Sequence, residues 1–313
     1  MKDIKYGVAI AAPTSKDAVD QIIDAEQRGV QSVWGTVGLA GGADQLTTFA
    51  IAGSHTSSVV MGTCIVQTWP VHPIAFAKQI QSIESVAPGR FQFGVGTAWQ
   101  PAMESTYGVD WRTPLTHLKE YLTVLKSILH TGEVDFNGTH VSGKASLTGI
   151  YKTPIMASAL RTKAFNMCGQ LADGAISWMC TPSYLANVAM PAMASGAEIA
   201  NRDIPPLIAH IPVVLTNDKQ VAYDAARKRL AFYRTTPHYG SMFEQAGFDV
   251  SENYPDELLD ELVVYGNPDE IKEKLNDILH LGISEVLVQP ILCSDKKDTE
   301  LQDIFDLIGS IPN

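Results

Sequence analysis

The chain has 313 residues, of which 45% are hydrophobic and 18% are charged, and its formal net charge is -11. This composition is typical of a soluble globular protein with a sizeable core. An acidic surface repels nucleic acid and anionic membranes, and no segment has the run of about 18 apolar residues that a membrane helix requires, so we expect neither kind of partner.

Short apolar segments alternate along the chain with segments of helical periodicity. The apolar segments predict eight strands, at residues 6–12, 32–37, 59–66, 91–97, 153–160, 174–179, 207–215 and 285–292. The predicted helices lie at residues 17–29, 44–52, 72–87, 115–129, 161–171, 182–201, 219–233 and 269–281, with a last helix after residue 292. A hairpin insertion is predicted at residues 133–149, and an irregular stretch at 236–255.

This alternation predicts an α/β fold in one domain over residues 1–313, because no composition break divides the chain. Alternation implies parallel strands with helical crossovers, and about eight units imply a closed (β/α)8 TIM barrel with insertions. In such barrels the active site lies at the carboxyl ends of the strands. The residues expected at that rim are Ala11, Ala12, Thr36, Val37, Cys64, Ile65, Thr97, Ala98, Ser158, Ala159, Met179, Cys180, Thr216, Gln289 and Pro290.

Most of these rim residues are small or apolar, and neither an acid–base pair nor a metal-ligand cluster gathers among them. A hydrolase or a metalloenzyme would require one, so we expect no metal. Such a rim suits a flat cofactor that brings its own chemistry. It equally suits a barrel mouth that is simply well packed, and the rim composition leaves both interpretations open.

The four cysteines, Cys64, Cys168, Cys180 and Cys293, share no CxxC spacing. Neither a zinc site nor a disulfide framework is indicated, and reduced thiols fit a cytoplasmic protein. The start of the chain shows no signal-peptide pattern, which supports the same expectation.

Two motifs are more specific than the general alternation. Residues 88–96 read PGRFQFGVG around the fourth predicted strand, and residues 171–174 read LADG before the sixth. With these motifs the chain resembles the luciferase-like flavin and deazaflavin oxidoreductases, and most closely the branch that uses coenzyme F420. The resemblance implies a TIM barrel, hydride transfer to or from a small-molecule substrate, and a homodimer, with F420 as the cofactor and FMN as the alternative.

The same resemblance assigns residues to the cofactor. In the family the third strand ends in a bulge with a non-prolyl cis peptide against the central ring, and here that position is Cys64-Ile65. The fifth strand leads into a helix start that binds phosphate, where free N–H groups and the helix dipole attract an anion and Arg161 adds a charge. The implied cofactor-binding residues are Cys64, Ile65, Thr97, Ser158, Ala159, Leu160, Arg161, Thr162 and Met179.

Two departures from the family bear on the reaction. Relatives that oxidise sugar phosphates carry Asp-His where this chain has Val37-Gly38, and a catalytic Glu where it has Trp99. Oxidation of an alcohol needs a general base, so we expect instead the reduction of an electron-poor, fairly apolar substrate. No catalytic residue is assigned, and the candidates are His238, Tyr239 and Glu104, in segments that could as easily be solvated loops.

Three functions remain open from the sequence. The first is F420-dependent hydride transfer in the reductive direction, and the second is an FMN-dependent monooxygenase or reductase on the same fold. The third is a flavin-binding protein without turnover, which the missing Asp-His and Glu favour. Among the other residues, His72 is interpreted as a helix-capping or packing residue, and Trp69 and Trp99 as either cofactor walls or core.

Overall fold

The computed structural model describes residues 4–36 and 42–312. The strands in this part of the chain are β1 (Tyr6–Ile10), β2 (Ser32–Gly35), β3 (Val60–Thr63), β4 (Val66–Gln67), β5 (Phe91–Gly96), β6 (Glu133–Asn137), β7 (Ser142–Ser146), β8 (Ile155–Ser158), β9 (Gly174–Trp178), β10 (Leu207–Leu215), β11 (Val264–Gly266) and β12 (Glu285–Pro290).

Eight of these strands form a closed parallel barrel, which confirms the predicted fold class. The order around the ring is β1, β2, β3, β5, β8, β9, β10 and β12, and β12 pairs with β1 to close it. The short β4 pairs with β5, β11 lies beside β10, and β6 and β7 form the predicted antiparallel hairpin. The carboxyl ends of the eight barrel strands therefore meet at one mouth.

Helices surround the barrel. They are α1 (Ser15–Gln27), α2 (Gln45–His55), α3 (Pro73–Val86), α4 (Gln100–Tyr107), α5 (Pro114–Thr131), α6 (Thr162–Leu171), α7 (Pro182–Tyr184), α8 (Met190–Ile199), α9 (Lys219–Arg234), α10 (Pro237–Gln245), α11 (Asp256–Leu262), α12 (Pro268–His280) and α13 (Lys297–Gly309), with a π-helical turn at Leu185–Ala189. The side chain of His72 accepts from the Ile74 N–H at the start of α3, so its interpretation as a cap is confirmed. No helix in the described part of the chain is long and apolar enough to cross a membrane.

Two of the differences from the predicted elements involve proline. The irregular stretch predicted at 236–255 is wrong in part, because α10 begins at Pro237 and buries Met242 and Phe243. The unpredicted α4 also has a proline, Pro101, in its first turn. Proline is tolerated there because its missing N–H would have no helical partner, so a proline in a polar stretch can start a helix.

The barrel interior holds its own apolar group, separate from the core between strands and helices. This inner cluster consists of Ala9, Trp34, Met156, Ile176, Ile208 and Leu287. Trp34 is fully buried and fills most of the space near β3, because a Cβ atom on Gly62 would lie 2.4 Å from Trp34 Cε3. Apart from Ala9, which lies at the level of the mouth, the inner cluster is therefore the packed floor below the mouth.

The PGR part of the first motif has a structural role. Arg90 is 8% exposed, and its guanidinium donates to the carbonyl oxygens of Gly53, Thr56 and Val59 at 2.9, 3.1 and 3.2 Å. It also donates to Thr56 Oγ1 at 3.0 Å. The last carbonyl groups of a helix lack partners within the helix, so Arg90 satisfies the end of α2 and ties it to the start of β5.

The ring is completed by contacts between distant parts of the chain. Besides the β1–β12 pairing, α13 packs against α1, where Arg28 Nη1 donates to Asp306 Oδ2 at 2.7 Å across 278 residues of sequence. The two helices approach closely at Gly309, where a Cβ atom would lie 1.9 Å from the Arg28 carbonyl oxygen. The two ends of the chain are therefore joined in the sheet, through β1 and β12, and in the surrounding helices, through α1 and α13.

Candidate functional site

The strand registers place four inward-facing residues at one height in the barrel mouth. Strands in a TIM barrel are staggered, so inward side chains from alternate strands form layers of four. The residue pairings can be followed from strand to strand around the ring. They place four inward-facing residues at the same height, Ala9, Cys64, Ser158 and His210, which we call the mouth layer. Two predicted cofactor residues, Cys64 and Ser158, thus meet at the expected end of the barrel.

The peptide bond between Cys64 and Ile65 is cis, as predicted. Cys64 Sγ donates to the Gly35 carbonyl oxygen at 3.6 Å, and burial raises the pKa of the thiol far above its usual range, so the thiol stays protonated. Ile65 lies beside the next layer up, where a Cβ atom on Gly96 would be 2.9 Å from Ile65 Cδ1 and 2.3 Å from Ser158 Oγ. Contact of Cys64 and Ile65 with a cofactor stays a prediction.

Two barrel strands are followed by a residue with left-handed backbone. Ala98 comes soon after β5 with φ 56°, and Met179 directly after β9 with φ 62°. Such angles are uncommon outside glycine and concentrate at functional sites. The carbonyl oxygen of Thr97 accepts from Trp111 Nε1 at 3.2 Å, and the Met179 side chain is fully buried in the main core. A ligand in the mouth could therefore contact the backbone of Met179 but not its side chain.

The predicted phosphate-binding turn lies between β8 and α6. Arg161 is the N-cap residue of α6 and is exposed, and Thr162 is the first helical residue. The N–H of Ala159 donates to the Ile176 carbonyl oxygen at 3.0 Å, so this amide belongs to the sheet. The amides that can face an anion are therefore those that follow Ala159, beside the Arg161 side chain.

The three catalytic candidates lie in different surroundings. His238 is half-buried in the first turn of α10, and burial, with the nearby Arg161 charge, lowers its pKa. Tyr239 packs edge-on against Tyr233, with ring centroids 5.0 Å apart, and burial raises its pKa. Glu104 is exposed on α4. The unpredicted helix α10 thus carries His238 towards the phosphate turn, whereas Glu104 is a solvated helix residue.

Trp69 and Trp99 occupy different positions. Trp69 stacks on His117 of α5, with ring centroids 3.7 Å apart, so it packs in the helical layer. Trp99 follows β5 and meets Phe232 of α9 edge-on at 5.2 Å. Because α9 follows β10, this contact joins the segment after β5 to the helix after β10, and these two strands are not neighbours in the ring. Val37-Gly38, where relatives carry Asp-His, lies outside the described residues.

The mouth also contains a polar group that sequence reasoning missed. His210 is 5% exposed, and its ring lies 4.4 Å from that of Trp178. Its Nε2 lies 3.1 Å from Gln289 Oε1. Burial, aided by the Arg229 charge and opposed by the Gln289 hydrogen bond, lowers the pKa of His210 to about 3, so the imidazole is neutral at pH 7. The sequence feature that could have revealed His210 is that it is the one polar residue in the apolar strand LIAHIPVVL, at an inward position.

A buried carboxyl group lies at the opposite end of the barrel interior. Glu285 begins β12 and is 5% exposed, and its Oε1 accepts from Trp34 Nε1 at 2.9 Å and from Ser32 Oγ at 3.0 Å. Burial raises the pKa of Glu285 to about 7, although these two hydrogen bonds oppose the shift. The carboxyl group therefore changes its charge near neutral pH, below Trp34 and the rest of the inner cluster.

We expect the substitution Glu285→Gln to remove a pH-dependent part of the stability. The raised pKa means that the folded protein holds the proton more tightly than the unfolded chain, so this contribution is complete at low pH and is lost as the pH rises towards 7. At about 1.4 kcal/mol per pKa unit, the loss approaches about 3 kcal/mol. Urea unfolding between about pH 5 and 8 should show the variant gaining stability relative to the natural protein as the pH rises. The exposed Glu133→Gln serves as the control, and parallel curves for Glu285→Gln and the natural protein would contradict the expectation.

Comparison with known proteins agrees with this architecture. The chain is 23% identical over 333 residues to a putative coenzyme F420-dependent oxidoreductase of Mycobacterium tuberculosis, covering 91% of this chain and 93% of that protein. Its fold matches the coenzyme F420 dependent tetrahydromethanopterin reductase of Methanopyrus kandleri with a TM-score of 0.83 at 19% identity, over 98% of this chain and 97% of that one.

A third similarity is to a flavin enzyme. The oxygenating constituent of 3,6-diketocamphane monooxygenase of Pseudomonas putida, solved in complex with FMN, superposes with a TM-score of 0.75 at 14% identity, over 98% of this chain and 97% of that one. Residues 4–285 match the model of the luciferase-like monooxygenase family, and the chain therefore belongs to that family.

Proposed function

We propose that this protein is an oxidoreductase that uses the deazaflavin coenzyme F420 to transfer a hydride between the cofactor and a small, fairly apolar organic substrate, acting as a reductase. The observation that carries the proposal is the position of the α6 start, with exposed Arg161, directly beside a barrel mouth of small residues. Membership of the luciferase-like family and the similarity to F420-dependent proteins support the choice of cofactor.

The residues of the mouth suit a flat ring with an anionic tail. Ala9, Cys64 and Ser158 are small, so a ring can approach the strand ends, and the space beside Gly96 is taken by Ile65 and Ser158. Arg161 and the amides that follow Ala159 would hold the phosphate of the tail, since a helix start and a guanidinium both favour an anion. When bound, the deazaflavin supplies hydride chemistry, and the protein supplies position and electrostatics.

Titration of the purified protein with each cofactor tests the proposal directly. We expect quenching of deazaflavin fluorescence with one saturable site, and weaker binding of FMN. Saturable binding of FMN alone would overturn the choice of cofactor. Binding of neither one would overturn the function itself.

We expect the substitution Arg161→Ala to weaken cofactor binding by about 1–3 kcal/mol, the range for a hydrogen bond to a charged group. The reason is that Arg161 is the fixed charge next to the amides of the predicted phosphate turn. Fluorescence titration of both proteins measures the difference. Lys152→Ala removes a cation from the other end of β8 and should leave affinity unchanged, and an equal effect of both variants would point to net charge as the cause.

The reductive direction rests on the small and apolar residues of the mouth, Ala9, Ile65 and Gly96, and has its own test. Reduced deazaflavin bound to the protein should be reoxidised by enones, imines or ketones, which stopped-flow absorbance follows. The alternative is FMN-dependent monooxygenation, favoured by the similarity to the FMN-bound monooxygenase. That alternative predicts that oxygen consumes bound reduced FMN and that a substrate gains an oxygen atom.

We also infer a homodimer, on the basis of the family resemblance, and a cytoplasmic location, on the basis of cysteines without a disulfide or zinc spacing. Light scattering behind a size-exclusion column should give twice the chain mass of 33.9 kDa. A mass of one chain at micromolar concentration would contradict the inference.

A further inference from the structure

The proposed hydride transfer requires a group that handles the accompanying proton. When a hydride moves to or from a carbonyl carbon, the oxygen must gain or lose a proton, and an enzyme places an acid or base there. Within the mouth layer the ionisable side chains are Cys64 and His210. The raised pKa of the Cys64 thiol keeps it protonated, which leaves His210.

His210 is placed to reach a molecule in the mouth. The mouth layer takes its residues from β1, β3, β8 and β10, so His210 on β10 faces Cys64 on β3 across the barrel. Cys64 and Ser158 are the residues that the proposed cofactor would touch, and His210 stands at their height. Trp178 and Gln289 flank it from the neighbouring strands.

The hydrogen bond to Gln289 determines which ring nitrogen of His210 is free to accept a proton. Gln289 Nε2 donates to the Pro290 carbonyl oxygen at 3.2 Å, so the Gln289 amide is oriented with Oε1 towards His210. That oxygen can only accept, and His210 Nε2 must therefore carry the proton and donate over 3.1 Å. In the neutral ring Nδ1 is then a bare acceptor, and it makes no hydrogen bond to the described residues.

We propose that His210 Nδ1 exchanges a proton with the substrate during hydride transfer, so that the substrate pair is a carbonyl compound and its alcohol. The role rests on the proposed function. In the oxidative direction the C–H bond breaks and its hydrogen leaves as hydride to the deazaflavin, the O–H proton passes to Nδ1, and C–O becomes C=O. In the reductive direction the hydride would add to the carbonyl carbon while Nδ1, neutral at rest, relays to the oxygen a proton that solvent water supplies.

The groups around His210 determine its pKa and therefore the pH range in which it can accept a proton. The charged and titratable groups on the elements around it are Arg229 and Tyr233 on α9, Cys64 after β3, and Glu285 at the start of β12. Arg229 adds to the effect of burial and lowers the pKa of His210 to about 3. The base is therefore available well below neutral pH, and the oxidative rate should not fall with protonation of His210 between about pH 5 and 8.

The decisive variant is His210→Gln, because glutamine keeps a donor near the position of Nε2 and lacks the Nδ1 acceptor. We expect kcat for the reduction of a panel of apolar ketones by reduced deazaflavin to fall by about 100- to 10,000-fold, the usual range for a lost acid–base group. Deazaflavin affinity should stay unchanged. The matched control is His130→Gln, which should keep full activity. His130 lies on α5, far from the mouth, and its Nε2 is 3.0 Å from the Thr153 carbonyl oxygen.

A measurement without cofactor separates this role from the proposed function. In protein labelled with ¹⁵N histidine, long-range ¹H–¹⁵N spectra should show His210 as a neutral Nε2–H tautomer between about pH 5 and 8, with the signal absent in His210→Gln. Gln289→Leu should mix the two tautomers and give an intermediate loss of kcat. An imidazole with an ordinary pKa, or the opposite tautomer, overturns the inference. So does full turnover by His210→Gln, whereas failure of the natural protein to bind deazaflavin overturns the proposed function.

Discussion

Replacing Arg90 with methionine is expected to lower the free energy of unfolding by about 3–5 kcal/mol, because three carbonyl oxygens in a mostly buried site lose their donor at about 1–3 kcal/mol for each unsatisfied group. Methionine fills part of the space but donates nothing. The carbonyl oxygens of Gly53, Thr56 and Val59 would each lose their guanidinium donor in a site that is 8% exposed. Urea unfolding monitored by tryptophan fluorescence measures the change.

Arg28→Met is the matched control for Arg90. Arg28 also makes two ion pairs, with Asp24 at 2.9 Å and with Asp306 at 2.7 Å, but these pairs are partly exposed. Exposed pairs contribute about 0–1 kcal/mol, so this variant should unfold close to the natural protein. Equal losses in both variants would show that the position of Arg90 at the end of α2 has no special importance.

Trp34→Ala should have an effect of similar size, about 3–5 kcal/mol, the usual cost of truncating a buried tryptophan. The side chain is fully buried in the inner cluster and lies against Gly62. Its removal leaves a cavity directly below the mouth layer and also leaves Glu285 without its indole donor. Thermal and urea unfolding give the loss, and deazaflavin titration shows whether the mouth loses its shape as well.

Trp34→Phe separates the ring from its hydrogen bond. Phenylalanine keeps most of the ring volume but cannot donate to Glu285, so the expected loss is about 1–3 kcal/mol, the cost of an unsatisfied buried partner. The difference between the two variants then measures packing. Equal losses for phenylalanine and alanine would mean that the hydrogen bond, and not the ring, supports the floor.

Much of the fold could be predicted because the signals are local. The alternation of apolar and amphipathic segments predicts a barrel, and the polar, Gly-rich stretch at 133–149 predicts the β6–β7 hairpin. The cis bond at Cys64-Ile65 and the helix-capping role of His72 could also be predicted. Both came from the family resemblance, which carries positional information that periodicity does not.

The residues around His210 could not be predicted for a physical reason. Whether His210 shares a height with Cys64 depends on the stagger accumulated from strand to strand around the ring, and no local pattern encodes it. The helix α10 was missed because its sequence is polar and its burial comes from packing of Met242 and Phe243. The role of Arg90 was hidden likewise, since its partners lie more than 30 residues earlier in the chain.

The pairing of β1 with β12 has a consequence for the synthesis of this protein. A ribosome delivers β1 early and β12 almost last, yet on the side away from β2, Tyr6 to Val8 pair with Val286 to Val288. Until then β1 and β10 each lack one neighbour, and the nascent sheet has two open edges that can pair with other chains. Cotranslational folding can thus assemble most of the wall, but both edges stay unpaired until the final segment emerges.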